Sequence, residues 1–319
     1  MYNISHKYKR ILFLIVKLVI VFAACYFMYH KLADNELLSF TKLREQFTLV
    51  FSNNSWALIG ILLFTDANWF LEIFKWKTLV TSFKKITFVE AYEQSFGSHT
   101  AALITPNRIG EYGAKALYFE KENQKKIIGL NFIGNLCQLT ATVLFGCVGL
   151  FVVLSKFKLN LPSFNFKTVF IITIILGILI VFRKQFGFLK IETYLHQFLR
   201  FFKSVSTTIY LKTLGLSIAR YLVFSHQFYF LLLLFGVEVD YITVISLIFC
   251  MYFFASFIPS LSIFDWAIKG SVAVWLFQLI EINELTVITI TTFMWILNFA
   301  IPALIGSIFV LNFKTSHLK

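Results

Sequence analysis

The chain has 319 residues, of which 58% are apolar, 18% aromatic and 14% charged, and its 40 phenylalanines contribute to a mean hydropathy of +0.77. A soluble domain carries about 25% charged residues, and none could hide this much apolar surface, so a water-soluble fold is excluded. The formal net charge of +13 reads as membrane topology and contact with anionic lipid, because nucleic-acid binding needs a basic groove with a stacking or base-reading module and the sequence offers none.

In chain order, the first apolar run covers residues 11–29. Lys7, Lys9 and Arg10 precede it and Lys17 interrupts it. No small-residue cleavage site follows, so a retained span is expected rather than a leader peptide. A polar segment, 30–53, leads to a second span at 54–74 that contains Asp66 and Glu72. Further spans are expected at 127–154, 167–182, 209–236 and 285–311, the fifth of the six carrying Arg220 and His226. Most of these runs reach the length that a hydrocarbon core of roughly 30 Å needs, about 20 helical residues. The stretch 183–206 is an amphipathic run of Phe, Leu and Lys expected to lie along the cytoplasmic surface.

Two other apolar stretches, 88–120 and 241–280, are broken near the middle by Pro106 and Pro259, each followed within six residues by an acid. Proline frees backbone groups that hydrocarbon cannot satisfy, so such breaks survive only inside protein or beside water. Both stretches are therefore expected to be re-entrant hairpins. With a cytoplasmic N-terminus and C-terminus, the basic residues of the loops fall inside rather than outside by about three to one, as the positive-inside rule requires; Lys75 and Lys77 are counted among the inside loops, and Lys156 outside. The expected fold is thus an all-α polytopic membrane protein with six full transmembrane helices and two re-entrant hairpins.

An internal repeat organises these pieces. Residues 101–115, AALITPNRIGEYGAK, align without a gap on 255–269, ASFIPSLSIFDWAIK, at an offset of 154. Glu111 falls on Asp265, Tyr112 on Trp266 and Lys115 on Lys269, while Asp66 falls on Arg220 and Glu72 on His226. The whole chain, 1–319, then reads as one membrane domain: a first span, repeat unit one over 54–154, a linking span at 167–182, and repeat unit two over 209–311. An odd number of crossings separates corresponding elements, so the units are expected to be inverted, with their hairpin tips meeting near the midplane.

Ionised groups at membrane depth cost roughly 2.5 to 3.5 kcal/mol on insertion scales. Arg108, Glu111, Lys115, Asp265 and Lys269 are therefore expected to pair or to face water. Glu111 and Lys115 stand four apart, as do Asp265 and Lys269, which places each acid and base on one helix face. Such a pair is either a structural bridge or a site where a phosphate headgroup exchanges with the acid for its cation. Asp66, Glu72, Arg220, His226 and His99 are expected to be supporting polar groups, with His99 a hydrogen-bonded helper rather than a metal ligand. Asn131, Asn135 and Gln138 are expected to bond across helices. Cys25, Cys137, Cys147 and Cys250 lack metal spacing and are expected to be buried, inert thiols. No metal or cofactor is implied.

The segment TPNRIGEYGAKAL, with Pro106, Arg108, Gly110 and Glu111, resembles the P-x-R-x-G-E signature of the lysylphosphatidylglycerol synthase transmembrane region family, a flippase-like integral membrane domain. The segment from Ile258 to Val274 resembles that family's second signature, although Ser260, Leu261 and Ser262 stand where glycines are usual. The base usual three residues after the glutamate is also displaced, to Lys115. Lipid-aminoacylating members carry a soluble synthase domain, and the chain here ends at Lys319 just after its last span. What the resemblance implies is the membrane half, associated with moving an amphipathic lipid between leaflets of the plasma membrane. The expected partner is an anionic phospholipid or lipid-linked intermediate, with its headgroup at Arg108, Glu111, Lys115, Asp265 and Lys269. A membrane-embedded transferase acting on a phospholipid or polyprenyl phosphate, a non-transporting subunit, and a homo-oligomer all stay open.

Overall fold

A computed structural model describes residues 55–103, 105, 108–157, 200–258 and 265–313, together with Ile15 and Thr48. The spans expected at 11–29 and 167–182 and the two hairpin prolines lie outside these residues, Ile15 apart. The described chain is all-helical. Its helices are α1 (Ser55–Thr81), α2 (Phe88–Ala102), α3 (Ile109–Leu117), α4 (Gln124–Lys156), α5 (Thr207–Leu234), α6 (Tyr241–Ser256), α7 (Asp265–Phe277), α8 (Glu284–Trp295) and α9 (Ile301–Asn312). A 3₁₀ turn over Gln278–Ile280 follows α7, and a π turn over Ile296–Ala300 joins α8 to α9 into one rod.

Four of these are long and apolar enough to cross a membrane: Trp56–Thr81, Gln124–Lys156, Thr207–Leu234 and Glu284–Asn312. They coincide with four of the six expected spans. At 1.5 Å per residue each exceeds the roughly 30 Å required. The 15-residue α2 and the 16-residue α6 reach only about 22 to 24 Å. Neither can cross alone, and each packs against the short helix that follows its break, α3 and α7 respectively.

Local chemistry fixes where the short helices start. Thr87 caps α2 through a capping box: its hydroxyl accepts from Glu90 N at 3.2 Å, and Thr87 N donates to Glu90 Oε2 at 2.6 Å. Asp240 caps α6, accepting from Thr243 N at 3.0 Å. In the last rod Pro302 has no N–H for the preceding turn, and the π turn before it takes up the mismatch.

Helix boundaries recur along the chain at the repeat offset: α1 shifted by 154 falls on α5, α2 on α6, and α4 on the α8–α9 rod, each within a few residues except at the rod's start. The packing recurs as well. α1 lies along α5, α2 along α9, and α6 along α4. Close approach is built with glycine in both of the last pairs. A Cβ on Gly306 of α9 would collide with Phe96 O of α2, and one on Gly149 of α4 would stand 2.6 Å from Ser246 O of α6.

Three apolar clusters fill the interior. One gathers α1 to α4 around Trp76, Phe96, Phe119 and Ile133. A second gathers α5 to α8 around Tyr221, Phe228, Phe249 and Phe277, with Ile61 and Ala141 reaching in. The third joins Leu103, at the end of α2, to Trp266 of α7 and to Trp295, Phe299 and Ala303 of the last rod. One thiol expectation is corrected. Cys137 and Cys250 are buried, but Cys147 is exposed, because it lies on the uncovered face of α4 with Val143, Leu144, Val148 and Phe151.

Candidate functional site: a cationic cavity between two broken helices

The first break is tightly built. Arg108, the N-cap of α3, adopts the left-handed conformation at φ 59° and ψ 27°, which costs a non-glycine residue on the order of 1 kcal/mol or more. Its guanidinium holds it there. Nη2 lies 2.9 Å from Glu111 Oε2 and 3.2 Å from His99 Nδ1. Gly110 permits the turn, since a Cβ there would stand 2.5 Å from Ala101 O and 2.8 Å from Thr105 Oγ1. Arginine can only donate, so His99 Nδ1 accepts and Nε2–H donates to Phe299 O, 3.2 Å away in the π turn.

Glu111 is shared by two cations. Lys115 Nζ donates to Glu111 Oε1 at 2.8 Å and to Asn131 Oδ1 at 2.8 Å, and stands 4.2 Å from the Trp76 ring centroid. The expected four-residue spacing is therefore realised as a salt bridge. Lys115 is only 1% exposed and does not reach the cavity described below; Arg108 is the member of this triad that does.

A second triad has the same form. Glu72 Oε2 lies 2.6 Å from Lys75 Nζ and 2.9 Å from Arg220 Nη1. Lys75, counted with the cytoplasmic loops by charge alone, is instead buried on α1, which continues to Thr81. Arg220 also donates from Nε to Asn68 Oδ1 at 3.0 Å and from Nη1 to Gln138 Oε1 at 3.3 Å. From there a relay of amides runs through the bundle: Asn68 donates to Asn298, Asn298 to Gln227, and Gln227 to Thr65, each at 2.8 Å. This relay ties α1, α5 and the π turn together, and each isolated Asn or Gln in an apolar run was its signal in the sequence.

Between the breaks lies a cavity of about 400 Å³. Arg108, Arg220, Lys269 and His99 line it together with Trp69, Phe224, Phe228, Trp266, Trp295 and Phe299. Among the described residues that line it there is no aspartate or glutamate. Lys269 Nζ also stands 5.7 Å from the Tyr252 ring centroid. Asp265 is the first residue of α7.

The remaining polar expectations separate from this site. Asp66 is exposed, on a different face of α1 from the buried Glu72. His226 lies within α5 and reaches the start of α6, with its Nδ1 2.8 Å from Leu222 O and its Nε2 2.8 Å from Tyr241 Oη. Asn135 donates to Tyr112 Oη at 2.8 Å, and Gln138 to Ser217 O at 3.4 Å. Among the described residues no three His, Cys, Asp or Glu side chains converge as a metal site.

Compared with protein-family models, curated proteins and solved structures, the chain matches none. The likeness to the lysylphosphatidylglycerol synthase transmembrane region thus rests on the motif residues themselves.

Proposed function

We propose that this protein translocates an anionic lipid or lipid-linked intermediate between the leaflets of the plasma membrane, holding the headgroup in the cavity between its two broken helices. The observation that carries this reading is the cavity's lining. Among the described residues three cations and no acid line the cavity together with large aromatic side chains, which suits an anionic headgroup attached to an apolar chain. Glu111 and Glu72 stand behind Arg108 and Arg220, each shared with a second cation, Lys115 and Lys75. A headgroup can therefore take hydrogen bonds from either guanidinium while the carboxylate keeps its second cation.

In this proposal the two halves form an inverted repeat, with hairpins α2–α3 and α6–α7 entering from opposite faces of the membrane and both termini cytoplasmic. Contacts at the bundle ends support it. The start of α2 meets the end of α9 through Tyr92 and Phe309, and the α3–α4 corner meets the same end through Tyr118 and Phe313. The start of α6 meets the far end of α4, where Lys156 Nζ lies 3.0 Å from Asp240 Oδ2. Paired broken helices meeting at mid-depth are an arrangement of secondary transporters.

Reconstituted into liposomes, the wild-type protein is expected to exchange a fluorescent anionic phospholipid between leaflets. Combined Arg108→Gln and Arg220→Gln should abolish that exchange while the protein stays folded by circular dichroism and gel filtration. Exchange by the folded double variant at the wild-type rate would reject the site.

A further inference from the structure

The charge balance around the cavity specifies more about the headgroup than its sign. Five cations lie in or beside it: Lys75, Arg108, Lys115, Arg220 and Lys269. Glu72 and Glu111 are the acids of the two triads, and among the described residues, counting Asp265 as a full third counter-charge, two positive charges remain in excess. Such an excess at membrane depth is costly unless a ligand balances it.

Hydrogen-bond donors point the same way. Trp69 and Trp295 line the cavity, each is only 6% exposed, and the indole N–H of each has no acceptor among the described residues. Other buried indoles here are satisfied: Trp76 Nε1 donates to Gln94 at 2.8 Å and Trp266 Nε1 to Thr292 at 2.7 Å. An indole N–H can only donate, and a buried donor left unpaired costs about 1 to 3 kcal/mol. The cavity therefore combines surplus positive charge with surplus donors, which calls for a ligand with several anionic oxygens.

We propose that the cavity takes a phosphate group bearing two or more negative charges, a phosphomonoester or a diphosphate, held by Arg108 and Arg220 with the indole N–H groups of Trp69 and Trp295 as further donors. This rests on the headgroup reading above and narrows it, because a phosphodiester headgroup brings only one negative charge on its phosphate. Two arginines are suited to the task, since each guanidinium can present a fork of donors to phosphate oxygens.

The test is a binding titration followed by tryptophan fluorescence, with the full chain in nanodiscs of neutral phosphatidylcholine. The probes are farnesyl phosphate, farnesyl diphosphate, a short-chain phosphatidylglycerol, and inorganic diphosphate. The two farnesyl probes should bind roughly tenfold or more tightly than the phosphodiester, the scale of an added charge-assisted contact. Arg220→Gln should erase that preference, and Arg220→Lys, which keeps the charge and loses the fork, should retain part of it. Inorganic diphosphate binding as tightly as farnesyl diphosphate would uphold the phosphate assignment and place its source in water. Equal affinity of the wild-type protein for monoester and diester would overturn the charge assignment while leaving an anionic-lipid site in place. Binding of none of the four would overturn both the assignment and the headgroup reading beneath it.

Discussion

Glu72 is the shared partner of Lys75 and Arg220, as Glu111 is of Arg108 and Lys115. Removing one member of a buried ion cluster typically costs about 3 to 5 kcal/mol, since the charges left behind are uncompensated. Glu72→Gln should therefore lower stability by about 3 kcal/mol in a denaturant titration in detergent, and adding Lys75→Gln should recover part of that loss by removing one stranded cation. A double variant no better than the single one would contradict this role for the triad. At this scale the sequence was partly transparent. The i, i+4 spacing of Glu111 and Lys115 led directly to their salt bridge, and Asn131, Asn135 and Gln138 bond between helices as their isolation in an apolar run suggested. The Glu72–Arg220 pair was hidden, because it joins residues 148 positions apart on different helices and the repeat alignment set each against a different partner. Lys75 was hidden for another reason: counting charges cannot tell a buried cation from one in a loop.

The four long helices were legible from hydropathy, which needs no knowledge of packing, and their ends differed from expectation where polar residues turned inward. α1 runs on to Thr81 because Lys75 is paired and Trp76, Leu79 and Val80 are buried. The π turn was not legible, although Pro302 marks its neighbourhood, since a proline announces a lost hydrogen bond without saying how the helix absorbs it. The start of α6 depends on a polar clip outside the spans. Asp240 accepts from the Thr243 hydroxyl at 2.8 Å, from Thr243 N and from Lys156 Nζ, and these bonds, the Thr243 hydroxyl first, hold its carboxyl down to about 2. A depressed carboxylate stabilises the folded state above its unfolded pKa near 4 and loses that contribution as pH falls through its folded value. The Thr243 amide should therefore exchange faster with solvent in Asp240→Asn than in wild type at neutral pH, with the difference closing as pH is lowered from about 4 toward 2. A difference that persists unchanged at the acid end would show that the clip works by shape rather than charge.

At the scale of the whole molecule, two helices that begin at nearly equivalent places of the sequence alignment, α3 and α7, contribute to one cavity. Rare residues aligned at a single offset, and helix boundaries and packing partners recur at that offset. Hydropathy and the repeat led to the helical plan. What the alignment could not supply was the cavity's composition, because its cations come from three elements, the α3 start, α5 and α7, and its aromatics from five helices and the π turn. The proposal that the hairpins enter from opposite faces is the premise on which translocation depends, and it predicts opposite sidedness for the two corners that follow them. In a cysteine-free background, Glu122→Cys in the α3–α4 corner and Glu281→Cys in the α7–α8 corner should each be challenged with a membrane-impermeant maleimide in sealed vesicles of known orientation. The account predicts that Glu122→Cys labels from the cytoplasmic side and Glu281→Cys from the opposite side. Labelling of both from the same side would contradict it.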